Sequence, residues 1–111
     1  MENLQNIECT ACRADAEPTS PAEIRRLMTQ LPEWRIKQVD GMNRLERVYL
    51  FKNFKTAMAF AQQVGDLAEQ VNHHPAILVE WGRVTVTWWT HKIKGLHLND
   101  FEMAAKTDTL T

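Results

Sequence analysis

Ile77-Leu78-Val79-Glu80-Trp81-Gly82-Arg83-Val84-Thr85-Val86-Thr87-Trp88-Trp89-Thr90-His91 is the stretch whose reading decides the fold. A two-residue turn at Trp81-Gly82 sets Glu80 against Arg83. Val79 then meets Val84 and Ile77 meets Val86, so apolar side chains oppose apolar ones on one face, while Leu78 meets Thr85 on the other. A slip of one residue would destroy this match. The stretch therefore reads as an antiparallel hairpin with one buried face. Trp88 shares the buried face with Val84 and Val86, Trp89 shares the other face with His91, and Trp81 reads as a packing residue.

The flanking segments supply the partners of that face. Asn53 caps a helix over about 54–71, in which Phe54, Ala57, Met58, Ala61, Val64, Ala68 and Val71 recur at helical spacing. Phe60 and Leu67 widen the stripe, which suits packing on a sheet alone or on a sheet and a second subunit. Further upstream, Ser20-Pro21-Ala22-Glu23 is a capping box with Pro at the first helical position. Ile24, Leu27, Met28 and Leu31 follow on one face, and Pro32 ends that helix. Trp34 to Lys37 alternates as a strand, Asp40-Gly41 is a tight turn, and a second strand runs from about Leu45 to Phe51. Downstream, a last helix over about 99–106 starts at Asn99 or Asp100 and turns Phe101, Ala104 and Ala105 inward. The order αββαββα predicts an α+β domain: a four-stranded antiparallel sheet with three helices on one face. Residues 1–19 read as a flexible tail and 20–111 as a single domain.

Composition bounds the function. The chain has 111 residues, 44% hydrophobic and 24% charged, and 13 basic against 14 acidic residues give a net charge of −1. A near-neutral chain lacks the basic face that nucleic-acid binding requires, and it has no polybasic membrane anchor. No apolar run approaches the ~20 residues of a membrane span, and Met1 to Gln5 has no signal-peptide character. The expectation is a cytoplasmic protein that binds neither nucleic acid nor membrane. Cys9 and Cys12 form a single C-x-x-C, which suits exposed tail thiols or a metal shared with another chain.

The chemistry concentrates at the open end of the hairpin. All four histidines, His73, His74, His91 and His97, lie within 25 residues of one another. Extending the pairing sets Asn72 across from His91 and His74 across from Trp89. Pro75 cannot donate a ladder hydrogen bond, so regular pairing ends there and Asn72-His73-His74 sit at a strand entrance. Three imidazoles at one end suit proton transfer near neutral pH, a zinc site, or simple bracing of a turn. Adjacent histidines diverge in an extended segment, which disfavours metal. His97 reads as a surface or helix-entry residue.

At this point the sequence resembles a known family. Glu69-x-x-x-His73-His74-Pro75, five residues to Trp81, nine more to His91 and eight more to Asp100 look like the signature of pterin-4a-carbinolamine dehydratases, in the bacterial form that accompanies phenylalanine hydroxylase. The resemblance covers about residues 20–106. It implies the fold read above and a lyase (hydro-lyase) activity: dehydration of 4a-hydroxytetrahydrobiopterin to quinonoid dihydropterin, which recycles the cofactor of an aromatic amino acid hydroxylase. The pterin is the substrate, and no cofactor or metal is implied. His73, His74 and His91 would be the catalytic imidazoles, with His73 and His91 transferring protons and His74 holding or protonating the 4a-hydroxyl. Glu69, Pro75, Trp89 and Asp100 would bind substrate. Asp100 also suits orienting His91 or a helix cap, and Glu69 suits an ordinary surface carboxylate. The resemblance further implies a homodimer or homotetramer. The alternative is a non-catalytic regulatory or dimerisation partner of the hydroxylase or of a transcription factor. Ile93 and Asn99 stand where some members carry Cys and Arg.

Overall fold

The computed structural model describes residues 19–90 and 95–111. The expected tail, Cys9 and Cys12, and His91 with Ile93 lie outside the described residues, apart from Thr19, whose N–H donates to Leu96 O at 2.9 Å.

Seven elements follow in the expected order: α1 Pro21–Met28, β1 Arg35–Val39, β2 Met42–Leu50, α2 Phe54–Val71, β3 Ala76–Glu80, β4 Arg83–Trp88 and α3 Leu98–Asp108. Ser20 Oγ accepts from Glu23 N–H at 3.2 Å and starts α1. The regular helix stops at Met28, before the expected end at Leu31. Gln30 and Leu31 donate instead to carbonyls three residues back, at 3.0 Å each, a tightened last turn ahead of Pro32. Asn53 Oδ1 accepts from Thr56 N–H at 2.8 Å and starts α2.

The sheet is antiparallel in the order β1-β2-β4-β3. The β3–β4 register is the one the sequence implies: Glu80 faces Arg83, Val79 faces Val84, Leu78 faces Thr85 and Ile77 faces Val86. β2 pairs along β4, with Leu45 on Trp88 and Tyr49 on Val84. It starts three residues earlier than expected because Asp40 and Gly41, both in the left-handed backbone region at φ 53° and 77°, close a two-residue turn whose twist matches that of the flanking strands and extends pairing to the turn itself.

The core lies between the sheet and the helices. Leu45, Tyr49, Val84, Val86 and Trp88 point inward and are buried. They meet Ala57, Phe60, Val64 and Ala68 of α2 and Phe101 and Ala104 of α3. A buried aromatic or large aliphatic side chain contributes about 1.5–3 kcal/mol, so the alternation in β2 and β4 orients the whole molecule. The C-terminal end of α3 is fixed by a polar cluster. Asp108 accepts from Trp34 Nε1 at 3.1 Å, from Arg47 at 2.8 Å and from the Tyr49 hydroxyl. Burial, reinforced by Asp108, holds the Tyr49 phenol far above its ordinary pKa of 10.0.

Two further expectations change. Trp81 does not pack beside the histidines: it sits at the hairpin tip, 74% exposed, at the end of the strands away from His73. The last helix starts before Asn99, with His97 at its N-cap.

Gly82 holds the hairpin for two reasons. Its φ is +71°, and a Cβ there would lie 2.9 Å from Phe51 O; the backbone carbonyl of Gly82 in turn accepts from Phe51 N–H at 2.8 Å. Gly82→Ala is expected to lower unfolding free energy by about 1–3 kcal/mol, measured by urea denaturation. A change within a few tenths would contradict this account of the turn.

Candidate active site

The exit of α2 delivers the first two histidines. Asn72 ends the helix in the left-handed conformation, at φ 54° and ψ 40°, which Asn tolerates better than most residues. His73 N–H still reaches back to Ala68 O at 3.2 Å. Asn72-His73-His74 is therefore a helix exit rather than the strand entrance expected, and β3 begins only after Pro75.

The two imidazoles diverge. His73 turns inward, buried, with its ring stacked on Trp88 at 5.5 Å between centroids and 27° between planes. Its Nε2 lies 2.7 Å from Asp100 Oδ1. His74 turns outward, and its Nε2 lies 2.5 Å from Glu69 Oε2, one turn back on α2. Glu69 is thus paired with a histidine of the motif.

Asp100 is the centre of the arrangement. Its carboxylate is fully buried. Oδ1 meets His73, and Oδ2 accepts from Thr90 Oγ1 at 2.8 Å and from His97 N–H at 2.9 Å. A buried carboxylate is costly unless its oxygens are hydrogen-bonded. Here three donors meet it, and the N-terminus of α3 adds a favourable dipole. The donors come from the α2 exit, the end of β4 and the start of α3, so one group ties three elements. An ionised carboxylate only accepts, so a neutral His73 ring facing it carries its proton on Nε2 and its lone pair on Nδ1. This is the orienting logic of a carboxylate–histidine pair.

Of the remaining candidate residues, Pro75 and Trp89 are described. Pro75 is half-buried between His74 and β3. Trp89 is buried, and the Arg44 guanidinium lies 4.1 Å from its ring centroid. His91 lies outside the described residues, but Thr90, its neighbour in the chain, is hydrogen-bonded to Asp100. Among the described residues no cluster of three or more His, Cys, Asp or Glu side chains is arranged to hold a metal ion.

Sequence reasoning missed two members. Thr90 is buried against Asp100, and nothing in its position announces this. His97, read as a surface residue, is 8% exposed. A signal existed for His97: Asp100 follows it at the spacing of a capping box, and the carboxylate does reach back to the His97 N–H. Burial holds the His97 imidazole below its ordinary pKa of 6.5; the charge of Asp100 and the neighbouring Asn99 oppose this, and His73 adds to it.

Residues 17–110 match the family model described as pterin 4 alpha carbinolamine dehydratase. A crystal structure of a transcriptional coactivator/pterin dehydratase from Brucella melitensis is 32% identical, with 85% of this chain and 98% of that one covered and a TM-score of 0.75. A pterin dehydratase-like protein, identified as a RuBisCO assembly factor in the alpha-carboxysome, has a TM-score of 0.59 at 22% identity over 70% of this chain and 88% of that one. The second likeness is one of fold alone.

The lowered pKa of His97 fixes the sign of an acid effect. The unfolded chain takes up the proton first as pH falls, so this contribution to stability is complete above the ordinary value and is lost on acidification. His97→Ser removes the titration and places a favoured N-cap residue at α3. The fall in Tm between about pH 7 and pH 5 is expected to be smaller in the variant than in the wild type. Equal falls would contradict the assignment.

Proposed function

This chain belongs to the pterin 4 alpha carbinolamine dehydratase family, and on that premise we propose that it is a hydro-lyase acting on a 4a-hydroxytetrahydropterin. The reaction gives quinonoid dihydropterin and water. Its physiological place is recycling the pterin cofactor of an aromatic amino acid hydroxylase in the cytoplasm. The observation that carries the reading is the buried His73–Asp100 pair, an arrangement that suits fixing an imidazole for proton transfer.

The chemistry needs an acid and a base on the two sides of the C4a–N5 bond. The N5 proton is removed, its bond electrons form C4a=N5, and the 4a-hydroxyl leaves as water once protonated. His73, held by Asp100 with its proton on Nε2, presents Nδ1 as the base. Asp100 is a positioning residue acting through His73, a change from orienting His91. His74, hydrogen-bonded to Glu69, holds the departing hydroxyl, and His91 is its proton donor. Glu69, Pro75 and Trp89 line the pterin. His73 has no metal to bind in this scheme, and none of the steps requires a redox cofactor.

Dehydration of 4a-hydroxytetrahydropterin, generated by a hydroxylase and followed by stopped-flow absorbance, tests the reading. His73→Ala, His74→Ala and His91→Ala are each expected to lower kcat by about 10²–10⁴-fold. Asp100→Asn is expected to lower kcat with little change in KM, because it disturbs the tautomer of His73 rather than a substrate contact. A wild-type protein that leaves the spontaneous rate unchanged would sink the enzyme reading. That outcome would favour a non-catalytic regulatory partner, a reading motivated by the coactivator named alongside the dehydratase in the Brucella relative.

A further inference from the structure

The end of the sheet nearest the histidines carries a charge that the fold leaves unmet. Leu45 faces Trp88 across β2 and β4. The next residues at this end, Arg44 and Trp89, come together on the face of the sheet away from the helices. The Arg44 guanidinium lies 4.1 Å from the centroid of the Trp89 ring. Arg44 is half-buried, and its Nε is buried with no hydrogen-bond partner. Among the described residues no carboxylate forms an ion pair with it.

The surroundings of Arg44 are positive. Lys37 stands directly opposite on β1, and Arg35 stands opposite Glu46. The Glu46 carboxylate lies 3.7 Å from Lys37 Nζ, which leaves Arg44 without it. Like charges opposite one another weaken a sheet, and removing part of a guanidinium from water adds to the cost. Stacking on Trp89 offsets this through a cation–π contact. It also holds the planar guanidinium in one orientation, which prepares it for two oxygens of a single oxyanion.

This charge lies beside the site. Ala76 faces Thr87, so His74 and Trp89, each two residues further out, leave β3 and β4 at the same end of the sheet. Thr90 follows Trp89 and is hydrogen-bonded to Asp100, and Trp88 stacks on His73. Arg44 is one strand from Trp89 and two from the line of β3, about 10 Å at ordinary strand spacing. That separation suits a group at the end of a side chain better than the bicyclic ring itself.

We propose that Arg44, backed by Lys37, is a subsite for an anionic group on the pterin side chain. The preferred substrate is then a 4a-hydroxytetrahydropterin whose side chain ends in a phosphate or a carboxylate rather than a neutral one. The inference rests on the dehydratase reading and adds to it the charge of the substrate. The Arg44 Nη groups donate to the two oxygens while the guanidinium stays on Trp89, and Lys37 adds a second positive charge.

Isothermal titration calorimetry of the full chain with three stable oxidised pterins tests it. Neopterin is neutral, neopterin 3′-phosphate ends in a phosphate, and pteroylglutamate ends in carboxylates. At least one anionic pterin is expected to bind about 10–100-fold more tightly than neopterin, and which one does so separates the phosphate from the carboxylate. Arg44→Met keeps an apolar stem over Trp89, and Arg44→Gln keeps a polar one. Each is expected to abolish the preference and leave neopterin affinity unchanged. Equal affinity for all three pterins would overturn the inference alone. So would a preference that survives both substitutions, or a loss of neopterin affinity as large as that of the anionic pterin. A wild type that binds none of the three would overturn the pterin site itself, and this inference with it.

Discussion

The buried carboxylate of Asp100 is the constraint on which the rest of the structure depends. A charge removed from water costs several kcal/mol unless its lone pairs are met, and here the donors are His73, Thr90 and the His97 N–H. Satisfying one group fixes the exit of α2, the end of β4 and the entrance of α3 relative to one another. Asp108 does the corresponding work at the other end of α3, through Trp34, Arg47 and Tyr49. A carboxylate near a helix C-terminus opposes the dipole, and the Arg47 guanidinium offsets that. The helix is thus pinned at both ends by polar groups and along its length by Phe101, Met103 and Ala104, all fully buried.

The fold was legible where pattern and sterics agree. The β3–β4 register follows from Val79 on Val84 and Ile77 on Val86, because only one alignment keeps both faces consistent. The caps at Ser20 and Asn53 are local chemistry, visible as residue types. Boundaries were less legible. His97 is an unusual N-cap, so the start of α3 was placed too late, although the acidic residue three positions on marked it. Trp81 reads from sequence as a packing residue beside the site, and tryptophan is highly buried on average. A turn tip has nothing beneath it, and the ring stands in solvent.

The candidate site was legible in membership and not in wiring. The motif brought His73, His74, Glu69 and Asp100 to attention, and spacing implied that His73 and His74 diverge. That Asp100 holds His73, 27 positions away, depends on how α2 and α3 cross the sheet, which no local pattern encodes. The same holds for Thr90, whose hydroxyl matters only because the end of β4 passes Asp100. The Glu69–His74 contact was within reach of sequence, since five positions spanning a helix end place the two side chains near each other. Family membership and this wiring both support the proposed reading, in which His73 is held rigid for proton transfer.

The central claim is that Asp100, ionised and buried, fixes the tautomer of His73. Two-bond ¹H–¹⁵N correlation spectra of histidine-labelled protein report which ring nitrogen carries the proton in the neutral ring. The account expects His73 to show a protonated Nε2 and an unprotonated Nδ1. A His73 ring protonated on Nδ1, or averaging between both tautomers as a free imidazole does, would contradict it.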